Sequence, residues 1–307
     1  MVEGIRETLR AWRDDVTVKA VLLKGNGGRA FCSGGDVKGC RETLMEDPAS
    51  PAPADLVFCE YNLLFEMEFL QKPSVAIAEG VTMGFGLGLA SFCRYTVATD
   101  TTRMAMPESN IGLFPDVGFS YRAANFLPPG VGRLLAVTDA DGAVRACLAG
   151  LAAPPAGRGR LSAHAALVEA FARAPGGPGG LAQARGALEA EATAAGGWAA
   201  ELQAGMPRCC PFSQAVAWSL LCAAEADRGA GELEWRAAAA LERDFAAACR
   251  LFRRPDFCEG VRAVLVDKGR VPAAWAPAAT SDVSEEEVAA AVAPLPEGER
   301  RLGLPGA

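Results

Sequence analysis

Short apolar runs along the first half of the chain alternate with glycine-bearing turns and with stretches whose apolar residues recur at helical spacing. Ile5, Leu9 and Trp12 fall on one helical face and predict an amphipathic helix. Val18 to Lys24, Ser74 to Ala78 and Tyr95 to Ala98 read as strands, the first leading into GNGG and the second into EGVTMGFG. That cadence predicts an α/β fold with a largely buried parallel sheet. Further on, FSQAVAWSLLCAAEA and ELEWRAAAALERDFAAACRLF carry helical periodicity and predict amphipathic helices. Between the halves, PPAGRGR and RAPGGPGG predict poorly ordered linkers around Ala-rich helices. The closing PEGERRLGLPGA predicts an exposed end. The pattern therefore divides the chain into a core (1–150), a connecting region (151–210), a helical region (211–278) and a tail (279–307).

Composition narrows the function class. With 307 residues, 50% of them hydrophobic, the chain is long enough to bury a full core. No uninterrupted apolar stretch reaches the roughly 18 residues of a membrane span. A formal net charge of -7 argues against broad charge-driven nucleic-acid binding. The 10 cysteines form no CxxC pair and there is 1 histidine, so no zinc-type cluster is visible and no metal is expected. Buried thiols in a reducing compartment are the expectation.

Four segments have the residue types that chemistry needs. In AFCSGGDV, Ala30 to Val37, Gly34 and Gly35 let backbone approach a ligand, and the Gly35 N–H is placed to donate to an oxyanion. A plain tight turn explains the same residues. In EGVTMGFGLGLA, Glu79 to Ala90, a strand runs into a glycine turn and an apolar helix whose N-terminus suits a developing negative charge. Close helix packing on the sheet would need those glycines too. In MPESNIGLFPDVG, Met106 to Gly118, Glu108 and Asp116 lie in a segment bent by prolines and glycines among apolar residues. Crowding two carboxylates there should raise at least one pKa, whereas separately each would read as a capping acid. In DFCEGVRAVLVDKG, Asp256 to Gly269, Lys268 follows a helix end, where a solvated charge is the plain reading and a phosphate partner the functional one.

Taken in order, AFCSGGDV, QKPSVAIAEGVTMGFG, AMPESNIGLFPDVGFSY and DFCEGVRAVLVDK resemble the enoyl-CoA hydratase/isomerase (crotonase) superfamily and its 3-hydroxyisobutyryl-CoA hydrolase branch. The resemblance implies a crotonase (ClpP/crotonase-like) fold with β-β-α repeats and a C-terminal helical region. Since the chain opens at the family's first helix, it also implies that two N-terminal strands are missing from it. The run LAGLAAPPAGRGRLSAH stands where relatives show a short Gly-Ala-Thr-His run.

The resemblance carries an oxyanion hole onto the backbone N–H groups of Gly35 and Phe85, and a catalytic pair onto Glu108 and Asp116. It carries substrate-binding roles onto Glu60, Ser33, Gly34, Asp36, Gly84 and Lys268, the last near the phosphates of CoA. The Phe85 side chain would narrow the acyl pocket. Where hydratases keep a second glutamate, this chain has Gly88. That departure counts against water addition to an enoyl-CoA. The implied activity is hydrolysis of a short 3-hydroxyacyl-CoA thioester in mitochondrial valine catabolism, with coenzyme A as part of the substrate and no separate cofactor. Two other readings stay open: a structural subunit of the mitochondrial small ribosomal subunit held by protein contacts, and an enoyl-CoA hydratase or isomerase. Relatives often assemble as homo-oligomers, and no membrane partner is implied.

Overall fold

A computed structural model describes residues 1–138 and 160–305. The N-terminal helix α1 (Val2–Arg13) leads into β1 (Val21–Lys24) and β2 (Ala30–Cys32), followed by α2 (Val37–Glu46) and α3 (Ala52–Glu68). Then come β3 (Ser74–Ala78), β4 (Val81–Met83) and α4 (Phe85–Ser91), then β5 (Tyr95–Ala98), β6 (Arg103–Ala105) and a 3-10 turn over Pro107–Ile111. Helices α5 (Phe119–Phe126) and α6 (Val131–Val137) close this half.

Each β-β-α repeat gives one strand to each of two parallel sheets, ordered β1-β3-β5 and β2-β4-β6. In the first sheet Leu22, Val75 and Tyr95 share one cross-strand row, and Lys24, Ile77 and Val97 share another. The first strand is shorter than its hydrophobic run. Pairing starts at Val21, whose N–H donates to the Pro73 carbonyl, because Pro73 has no N–H with which to extend the ladder. The expectation of a largely buried sheet fails on one face. Leu22 is 63% exposed, Tyr95 54% and Val97 44%. With two strands per helix rather than one, helices cover only the inner face, where Ser74, Ala76 and Ala78 are buried.

The connecting region is more ordered than its glycines and prolines imply. Ala165–Arg173, Pro178–Ala195 and Gly197–Gly205 are helices. They bury Leu167, Phe171, Leu181, Leu188, Trp198 and Leu202. Pro178 sits in a helix's first turn, where its missing N–H costs nothing. PPAGRGR lies outside the described residues apart from its last arginine, as does most of LAGLAAPPAGRGRLSAH. Downstream, Pro211–Ala226 packs on α5 and α6, and Leu233–Leu251 packs on α3 and α5. The tail is not a loose end either. Its helix Glu285–Val292 rests on both of those helices. Leu302 and Leu304 are buried, and the Leu302 and Gly303 N–H groups donate to Glu242. Among the described residues, no helix is long and apolar enough to cross a membrane.

Candidate active site

Adjacent strands β2 and β4 run parallel, so the turns that follow them leave the sheet side by side. After β2 the chain passes through Ser33, Gly34 and Gly35 before α2 begins. After β4, Gly84 turns the chain into α4 at φ 52° and ψ −126°, a conformation suited to glycine. A Cβ on Gly84 would lie 3.7 Å from the Gly34 Cα and 2.7 Å from Glu108 Oε1. A Cβ on Gly35 would lie 3.0 Å from Glu60 Oε1. Both turns are thus pressed against carboxylates with no room for a side chain. Phe85 is the first residue of α4, so its N–H has no acceptor within the helix.

Glu108 sits in the 3-10 turn after β6. Gly112 ends that turn at φ 74° and lies directly against the backbone of Asp256, whose carbonyl oxygen would be 2.4 Å from an added Cβ. The DFCEG segment that looked like part of a ligand site is therefore, first, the seat of the Glu108 turn. Asp256 in turn accepts from the Ala276 N–H at 2.9 Å and pairs with Arg254.

Ser33, Gly34, Gly35, Glu60, Gly84, Phe85, Glu108 and Asp116 all line one cavity of about 180 Å³. Glu60, Glu108 and Asp116 are each buried. Burial raises Glu108 well above the usual carboxylate range, and the nearby Asp116 charge raises it further. Glu60 is raised for the same two reasons. Burial pushes Asp116 up to about 6, opposed by a 2.7 Å hydrogen bond that the Tyr61 hydroxyl donates to Oδ2. Glu108 Oε2 is buried with no hydrogen-bond partner among the described residues. Such a group keeps its proton to higher pH than a solvated carboxylate does.

Asp36 and Lys268 are not part of this wall. Asp36 caps α2, its carboxylate accepting from the Gly39 N–H at 2.9 Å. Exposed Lys268 adopts φ 53° just past the π-helical turn Arg262–Val266, whose Val264 and Leu265 do line the cavity. Sequence reasoning missed Tyr61, Val117 and Asp244. Val117 lines the cavity at φ 47°. Asp244 accepts from the Ser120 hydroxyl at 2.9 Å, and burial pushes it up to about 8. A lone acid in the apolar run DFAAAC was its only signal. Among the described residues, no group of His, Cys, Asp or Glu is arranged to hold a metal ion.

A sequence profile of the enoyl-CoA hydratase/isomerase family matches residues 1–154 and 141–292, nearly the whole chain. The chain belongs to that family. Its fold is the crotonase fold: a carnitinyl-CoA dehydratase from Mycobacterium thermoresistibile superposes with a TM-score of 0.78 at 30% identity, covering 97% of this chain and 91% of that one. The mitochondrial 3-hydroxyisobutyryl-CoA hydrolase of Mus musculus is 41% identical over 134 residues, 44% of this chain and 33% of that protein. Small ribosomal subunit protein mS47 of Neurospora crassa is 38% identical over 144 residues, 46% of this chain and 28% of that protein. The matched stretch thus spans about a third of the curated relatives' length.

Proposed function

We propose that this cavity hydrolyses a short 3-hydroxyacyl-CoA thioester of the 3-hydroxyisobutyryl-CoA type. The observation that carries the reading is the pairing of Glu108 and Asp116, buried with raised pKa values around the space onto which both glycine turns open. The N–H groups of Gly35 and Phe85 would hold the thioester oxygen as it gains charge. Ionised Glu108 would attack the carbonyl carbon, the C–S bond breaking to release CoA thiolate and leaving an acyl-glutamyl anhydride. Water would then cleave that anhydride to the free acid and the regenerated carboxylate. Alternatively, Glu108 would take a proton from a water that attacks the carbonyl carbon as the C–S bond breaks. Asp116 would orient the substrate hydroxyl or share the proton transfer to the departing sulfur. Glu60 would contact the acyl group. Lys268, exposed three residues after the cavity-lining Leu265, would meet the phosphates of CoA.

Gly88 supports hydrolysis over hydration. A Cβ at that position would lie 2.7 Å from Val117 Cγ2, so a second glutamate would not fit without displacing Val117. Similarity to the mouse hydrolase supports the same activity and a mitochondrial setting. Thiol release from 3-hydroxyisobutyryl-CoA tests it. Glu108→Gln should lower turnover by about a hundredfold or more while CoA binding stays within a few-fold. Unchanged turnover would sink the assignment.

The likeness to mS47 favours a second reading, a subunit of the mitochondrial small ribosomal subunit held through protein contacts. Co-sedimentation of the endogenous protein with that subunit, combined with no thiol release from purified protein, would select it.

A further inference from the structure

Among the described residues, Val117 alone lines both the carboxylate cavity and a second cavity of about 490 Å³. That chamber lies between α4, α5 and the edge strand β5, with Leu87, Met106, Phe119, Leu127 and Leu135 on its walls. It is lined mainly by hydrocarbon and has more than twice the room of the site itself. The partition is thin. Gly88 faces the chamber and presses on Val117, whose Cγ2 is 2.7 Å from where a Cβ on Gly88 would stand. Val117 also holds φ 47°, a left-handed conformation that a β-branched residue adopts only under strain. It sits inside a turn in which the Phe119 N–H donates to the Asp116 carbonyl at 2.8 Å, with Gly118 beside it at φ 74°. A strained side chain fixed between a reactive cavity and an apolar one has the placement of a stop.

We propose that Val117 is the end wall of the acyl pocket, limiting the thioester to a short acyl chain and closing off an apolar chamber that would take a longer one. This inference rests on the acyl-CoA reading above. The ligand class follows from the two walls together: a polar thioester end among Glu60, Glu108 and Asp116, and an extension whose mainly apolar wall, with Arg94 and Arg122 also on it, a hydrocarbon tail would match.

The test is titration calorimetry of butyryl-CoA and octanoyl-CoA against the native protein, Val117→Ala and Val117→Gly, with thiol release followed separately. Glycine accepts the same backbone conformation, so Val117→Gly removes the wall without forcing the turn to move. Val117→Ala, the smaller change, is read if the glycine variant does not fold. Each methylene reaching apolar surroundings adds about fourfold in affinity. The ratio of octanoyl to butyryl affinity is therefore expected to rise by about tenfold or more in Val117→Gly, and by less in Val117→Ala. A ratio unchanged in the folded variants, or native protein that already binds octanoyl-CoA as tightly as butyryl-CoA, overturns the end wall. Binding of these thioesters with no thiol release from 3-hydroxyisobutyryl-CoA would defeat the hydrolase reading and leave the wall to be judged on the affinity ratio. Native protein that binds neither thioester overturns both.

Discussion

The hydrogen bond from Tyr61 to Asp116 does most to decide which acid carries charge in the cavity. A hydroxyl that donates to a carboxylate favours the ionised form, so it works against the burial that holds Asp116 near 6. Tyr61→Phe removes the donor and leaves the burial. Asp116 should then titrate higher by about one pH unit, the worth of a hydrogen bond to a charged group. The pH profile of thiol release would show it as an upward shift of whichever limb Asp116 sets. A profile that keeps its position would mean that Asp116 does not titrate in the reaction. Tyr61 itself was illegible in the chain, because nothing local distinguishes it from the other aromatic residues that α3 buries. Its partner lies across the fold on another element, and only the closed structure brings them together.

At the scale of elements, the turn that holds Glu108 depends on the helix that begins at Pro255. Gly112→Ala would place a Cβ against the Asp256 carbonyl and force alanine into a left-handed conformation. About 3 kcal/mol of stability should be lost, measured by denaturant unfolding. Gly177→Ala, a positive-φ glycine with open space around it, should cost less because it carries only the conformational penalty. The strands were legible because β-rich runs end at glycine turns, and Ser74–Ala78 and Tyr95–Ala98 lie where those runs lie. The carboxylate pair was legible because prolines and glycines crowd one segment. The Ala-rich and amphipathic helices after residue 160 were legible too, but RAPGGPGG read as linker although its last three residues open the helix Pro178–Ala195, because Leu167, Phe171, Leu181 and Leu188 supply a buried stripe that overrides local composition. In the tail, two leucines among charges and glycines gave too short a pattern to reveal a docked end.

For the whole molecule, burying several acids makes stability depend on pH. An Asp ionises near 3.8 in the unfolded chain, but Asp244 holds its proton to about 8 when folded. Between those values unfolding releases that proton, so raising the pH favours the unfolded chain. The contribution is complete below about 4 and is lost as pH rises toward 8. Glu60, Glu108 and Asp116, also raised, act in the same direction. Thermal unfolding should therefore occur at lower temperature at pH 8 than at pH 5. Asp244→Asn should narrow that difference, because an amide keeps the Ser120 hydrogen bond without an acid to ionise. An unaltered pH dependence in the variant would mean that Asp244 is ionised in the native fold.

The contact between Gly112 and Asp256 also sets an order in time. As the chain leaves the ribosome, Glu108 and its turn emerge early, while the backbone they lean on follows nearly half a chain later. At roughly 5–20 residues per second, that interval lasts about 7 to 30 seconds. Throughout it the strands and the two glycine turns have what they need to pair, but the acid-bearing turn has nothing to rest on. The nascent protein would acquire its sheets first and its carboxylate-lined cavity last. A stalled chain ending before Asp256 should therefore hold a folded core without a working site.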